Sequence, residues 1–111
     1  MITELAAKLN QAIKESDEYV RYQKTMEAVK KHPDLYQSMN TFRRRNYELQ
    51  SYDDGVNRYA EIHNLSLEYE PTLRTPVVND FLIAEQIFSL KLEEMYEIIA
   101  EGLNLDYDYM E

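Results

Sequence analysis

The chain has 111 residues and a mass of 13.3 kDa, the size of one domain, which if compact buries about two-thirds of its unfolded surface. With 44% apolar residues, 30% charged residues and a net charge of −9, it is neither a disordered tract nor a membrane-spanning protein, and the lack of cysteine excludes disulfides, zinc-thiolate sites, cysteine-held iron-sulfur clusters and thiol nucleophiles. Two glycines and three prolines are too few for the turns of an all-β fold and leave no glycine loop to cradle a phosphate, so the composition predicts an all-α protein.

From Thr3 to Ile13 the apolar residues Leu5, Ala6, Leu9, Ala12 and Ile13 recur at steps of three and four, the spacing of one helix face. Thr3 and Glu4 suit a helix start, and Ser16-Asp17-Glu18 reads as a fresh amino-terminal cap. The pattern leaves open whether these two segments are continuous. Tyr19, Tyr22, Met26 and Val29 then share a stripe up to His32-Pro33, where the residue before proline leaves the α region and Pro33 opens the next helix. That third segment sets Leu35, Met39, Phe42, Asn46 and Leu49 in a 4-3-4-3 rhythm, the coiled-coil period, with polar Asn46 on the seam.

Tyr52-Asp53-Asp54-Gly55 is the clearest punctuation and is expected to close a hairpin, with Gly55 supplying the left-handed conformation. A weaker helical pattern follows from Val56 to Leu73 and is interrupted by Pro71, after which Arg74-Thr75-Pro76 reads as a cap with proline at the first helical position. The last helix is expected from Pro76 to Glu101. One stripe runs through Val77, Phe81, Ala84, Phe88, Leu92, Met95 and Ile99, and a second through Ile83, Ile87, Leu90 and Ile98. Between Val77 and Leu92 nearly the whole circumference is apolar. A helix of about 26 residues is about 39 Å long, and one that is apolar on most sides belongs in a core. The companions in this chain are too thin to cover it, so a second copy is expected to supply the rest, with Val77, Phe81, Ala84, Ile87, Phe88, Leu92, Met95 and Ile99 as the candidate oligomer interface. Gly102 suits a helix stop, and the alternating tail 103–111 is expected to dock as a strip or to fray.

Charge is uneven along the chain. Residues 1–50 hold nine Lys/Arg against seven Asp/Glu, a net of +2, and residues 51–111 hold three against fourteen, a net of −11. Nucleic acid is disfavoured as a partner by the acidic half. An RNA-binding role would have to use the basic patch of Lys30, Lys31, Arg43, Arg44 and Arg45, with Tyr36, Tyr47 and Tyr52 nearby for base stacking. Ten of the thirteen aromatic residues are tyrosines, which suit surfaces with one dry and one wet side. Glu93, Glu97 and Glu101 share a helix face, but neither His32 nor His63 has a Glu three residues before it, so the Glu-x-x-His pairs of a dimetal bundle are missing. His63 has no Gly-x-Ser-x-Gly elbow or HExxH pair beside it and is expected to pack at a helix boundary. No catalytic residue, metal site or cofactor is expected.

The stretch LNQAIKESDEYVRYQKTMEAVKKHPDLYQSMNTFRR, the Asp-Gly turn and VVNDFLIAEQIFSLKLEEMYEIIAEGLNLDY together resemble the YlbF/YmcA family of small helical bacterial regulatory proteins, from about Leu5 to Tyr107. The resemblance implies a self-associating helical protein without known enzymatic activity. Some members act in competence, sporulation and biofilm development of Gram-positive bacteria, within a complex that influences RNA processing by a membrane-bound ribonuclease. Members of that complex hold iron-sulfur clusters through cysteines, and this chain has none.

The expected fold is therefore an all-α, elongated hairpin or bundle of three to five helices in a single domain over 1–111, completed by oligomerisation. The expected partners are a second copy, in a dimer or tetramer, and other regulatory proteins. The amino terminus carries Glu4 and lacks a continuous apolar run, and no segment has the roughly 20 apolar residues of a membrane span, so a cytoplasmic location is expected.

Overall fold

A computed structural model describes residues 1–52 and 55–110. It contains six α-helices and no strand among those residues: α1 Ile2–Lys14, α2 Asp17–Lys30, α3 Pro33–Ser51, α4 Tyr59–Glu68, α5 Glu70–Leu73 and α6 Pro76–Ala100, with a 3-10 turn at Asp108–Met110. This is one helix more than the upper end of the expected range. Pro71 has no N–H to extend α4, so α4 stops at Glu68 and the chain starts again as the four-residue α5.

The break between the first two helices is real. Ser16 is extended (φ −69°, ψ 150°); its hydroxyl donates to the Ile13 carbonyl (2.6 Å) and accepts from the Tyr19 N–H (3.2 Å), so one side chain ends α1 and caps α2. Ser16→Ala should lower stability by about 1 kcal/mol, a fall in melting temperature of about 4–8 °C by calorimetry. A shift under about 1 °C would show that the cap contributes nothing. Thr3 caps nothing, since α1 begins one residue earlier. Thr75 is the cap residue of α6, but its backbone carbonyl takes the Val78 and Asn79 N–H groups while its hydroxyl turns back to the Pro71 carbonyl. The expected hairpin turn at Asp53-Asp54 lies outside the described residues; Gly55 beside it has a positive φ of 74°.

The core is small because only α2, α3 and α6 converge. Val29, Met39, Val78 and Phe81 form its centre, with Ala84 and Leu65 also buried and Tyr22, Met26, Leu35, Tyr36, Val77 and Leu82 packed around it. α2 runs antiparallel to α6: Tyr19 meets Phe88 at one end, while Val29 and Val78 share the core at the other. α3 leans on this pair and carries α4 and α5, through Phe42 against Tyr69 and through a Ser38–Thr72 hydroxyl bond (2.9 Å). α1 is an arm that packs only on α2, with every residue exposed except half-buried Ile13.

The shape is a slab of 48 × 40 × 17 Å with a radius of gyration of 18.1 Å, where a compact chain of this length has about 13 Å. Its accessible surface is 8961 Å², against about 6,500 Å² for a compact monomer of this mass. Each chain thus leaves about 2,500 Å² more open than a closed globule would. With a helix about 10 Å across, a thickness of 17 Å leaves no layer to cover the outer side of α6.

Candidate functional site

α6 settles which of its two apolar stripes the chain keeps for itself. Along the first stripe, Phe81 and Ala84 are fully covered, and Val77, Phe88, Leu92 and Met95 are half-buried; Ile99 is 53% exposed. The selection comes from α2. Tyr22 lies 5.5 Å from Phe81 and 5.4 Å from Phe88, and Tyr19 lies 5.2 Å from Phe88, an aromatic seam along the α2–α6 contact. Phe81 and Ala84, expected in the oligomer interface, are therefore core residues of the single chain. The second stripe faces out: Ile83, Ile87 (41% exposed), Leu90 (56%) and Ile98 (63%) are all exposed. Of the eight candidate interface residues only Ile87 and Ile99 are exposed.

Below the aromatic seam α1, which packs on α2 alone, stands apart from α6. Ala6, Leu9 and Ile13 of α1 face Phe88, Leu92 and Met95 of α6 across an open groove of about 420 Å³, with Tyr19 and Tyr22 as its floor. The stripe on α1 is plain in the sequence, but nothing in its spacing says that it stands opposite the far half of α6. After Ala100 the chain turns: Glu101 (φ −56°, ψ 125°), Gly102 (φ +76°) and a bond from the Leu103 N–H to the Ala100 carbonyl (2.9 Å) are the marks of a type II turn. Residues 103–110 then run out exposed, with neither Leu103 nor Leu105 docked.

The basic run does not form one patch. Successive helical residues point about 100° apart. Arg43 reaches α6, where it pairs with Glu85 and lies over the Phe81 ring, while Arg45 pairs with Glu68 at 3.0 Å on the other side. The hydrogen bond to the Tyr69 hydroxyl, 3.4 Å away, raises the pKa of the Arg45 guanidinium; desolvation opposes it and the Glu68 carboxylate adds to it. Arg44 is exposed between them, Lys31 is exposed at the α2–α3 corner, and Lys30 lies over the Tyr36 ring.

His63 sits in the middle of α4, exposed and stacked on Tyr59, rather than at a helix boundary, and His32 precedes Pro33 as the first residue flanking α3. Glu93, Glu97 and Glu101 point to solvent, and among the described residues no three His, Asp or Glu side chains gather as a metal set. Asn46 accepts from Gln50 (3.0 Å) near the end of its short seam. The built feature of this molecule is thus apolar and aromatic surface on α1 and α6.

A family described as control of competence regulator ComK, YlbF/YmcA, matches residues 2–104. A UPF0342 protein of Symbiobacterium thermophilum is 30% identical over 106 residues, which cover 94% of this chain and 95% of the relative. UPF0342 proteins of Caldicellulosiruptor saccharolyticus and Caldicellulosiruptor bescii are each 24% identical, over 94% and 92% of this chain and 88% and 87% of theirs. No solved structure matches. Among the described residues no helix is long and apolar enough to cross a membrane. The extent of that match, over a chain that is helical as the family resemblance implied, places this protein in the YlbF/YmcA family of competence-control regulators.

Proposed function

We propose that this protein is a non-enzymatic cytoplasmic regulator or adaptor that works through protein-protein contacts and self-associates. Competence control is the setting that its family membership supports; sporulation, biofilm formation and RNA processing are those that the resemblance implies. The observation that carries the reading is the apolar surface of α6, open on its outer side along Ile83, Ile87, Leu90 and Ile98 and over the α1 groove. Contiguous apolar surface of this extent marks interaction sites on soluble proteins. RNA binding through Lys30, Lys31, Arg43, Arg44 and Arg45 has less support, because Arg43 and Arg45 already pair with carboxylates and the carboxyl-terminal half is strongly acidic.

Sedimentation equilibrium at micromolar concentration should return twice or four times the 13.3 kDa chain mass. A stable, folded monomer at that concentration would overturn self-association.

A further inference from the structure

The outer face of α6 has the heptad spacing of a coiled-coil seam, in steps of three and four residues. Ile83, Ile87 and Leu90 form its apolar middle. Asp80 precedes them on the same line and Glu94 and Glu97 follow, so the seam runs about 26 Å along the helix. All six side chains are exposed. An apolar seam that passes into carboxylates calls for an occupant that is apolar over one half and cationic over the other. We propose that this face docks an amphipathic, cationic helix of a different protein, whose apolar residues meet Ile83, Ile87 and Leu90 and whose Lys or Arg residues meet Glu94 and Glu97. The proposal rests on the protein-contact reading above and gives that reading the chemistry of its partner.

Charge selects this occupant over a second copy of the chain. In a parallel two-fold pair of α6 helices, Glu94 meets Glu94 and Glu97 meets Glu97. In an antiparallel pair centred on Ile87, residue 80 falls opposite residue 94, so Asp80 meets Glu94 at both ends. Like charges across a helix seam oppose pairing, and opposite charges favour it. The negative end of the α6 dipole strengthens the demand for a cation, because the last turn carries no base. Lys91 is the last Lys or Arg in the sequence, and it lies 3.8 Å from Glu94. Among the described residues Asp80 and Glu97 have no ion-pair partner, so their charge is open to an incoming helix. The same carboxylates repel nucleic acid and anionic lipid surfaces. Self-association is left to the remaining surface of the chain.

Fluorescence anisotropy of labelled synthetic peptides, titrated with the full chain, tests this. Each peptide is three heptads long, with Leu on one half of its seam, Lys on the other and Ala or Gln elsewhere, and both orders of the halves are made so that either helix polarity is covered. One of the two should bind, and the same peptide with Glu for every Lys should bind at least about 30-fold more weakly. Ile87→Glu should weaken binding about tenfold or more, as the loss of a central anchor, with sedimentation mass and circular dichroism unchanged. Glu94→Lys combined with Glu97→Lys should invert the preference, so that the Glu peptide binds and the Lys peptide does not. Asp106→Lys with Asp108→Lys, the same change of charge on the tail, should leave the preference as it was; inversion there too would mean that net charge alone attracts the peptide and would overturn the seam. Failure of both Lys peptides to bind, or equal binding of Lys and Glu peptides, overturns the cationic partner and leaves self-association standing. Loss of self-association in Ile87→Glu gives this face to a second copy and overturns the inference. A chain that sediments as a monomer yet binds the Lys peptide and inverts as expected supports the inference and overturns self-association alone.

Discussion

Phe81→Ala should remove about 3–5 kcal/mol of stability, the range for deleting a buried phenyl ring. Phe81 is 1% exposed, stacks on Tyr22 with centroids 5.5 Å apart, and carries the Arg43 guanidinium 5.2 Å from its centroid on the way to Glu85. Truncation would leave a void at the point where α2, α3 and α6 converge, lined by Val29, Met39 and Val78. Those three residues come from three helices, so no small shift of one closes it. The same change takes the ring from under Arg43, which then faces a cavity. A small domain has only about 5–15 kcal/mol in total, so much of the population would unfold near physiological temperature. Urea denaturation followed by circular dichroism checks this, at one fixed protein concentration because association adds to apparent stability. A loss below about 1 kcal/mol would mean that the core is centred elsewhere.

The same ring shows where reading the sequence stops. Helix ends were legible because each has a local chemical cause. Ser16 offers an oxygen to an orphan N–H, Pro33 forces His32 out of the α region, and Gly102 accepts a positive φ. The length of α6 and its apolar girth were equally plain. Which stripe would face the chain's own core was not, since a helix apolar nearly all round has no periodicity that favours one side. Tyr19 and Tyr22 on α2 made the choice, by seating Phe81 and Phe88 and leaving Ile83, Ile87 and Leu90 outside. These are pairings between residues 59 to 69 positions apart, which one sequence does not encode locally. In the stretch 56–73 the apolar residues follow a single loose pattern that Pro71 interrupts, and its missing N–H divides the stretch into α4 and α5. The Arg43-Arg44-Arg45 run looked like a patch in the linear chain, and the turn of the helix scattered it.

Two adjacent residues of α6 should therefore respond very unequally to one substitution. Ile87 and Phe88 differ by about 100° of helical rotation, which puts Ile87 in the outer stripe and Phe88 between Tyr19 and Tyr22. Phe88→Asp should cost about 3 kcal/mol or more in the folding of the single chain: two aromatic pairings are lost, worth about 0.5–1.5 kcal/mol each, and a carboxylate is set among rings that cannot pair with it. The groove loses its inner end at the same time, so association fails along with the fold. Ile87→Asp should change chain stability by no more than about 0.5–1 kcal/mol, as for other exposed positions. Thermal melts of both variants, with near-ultraviolet circular dichroism to follow the tyrosines, separate the two positions. Equal melting temperatures would mean that α6 is rotated about its axis from the orientation described, and would undo the assignment of both stripes at once.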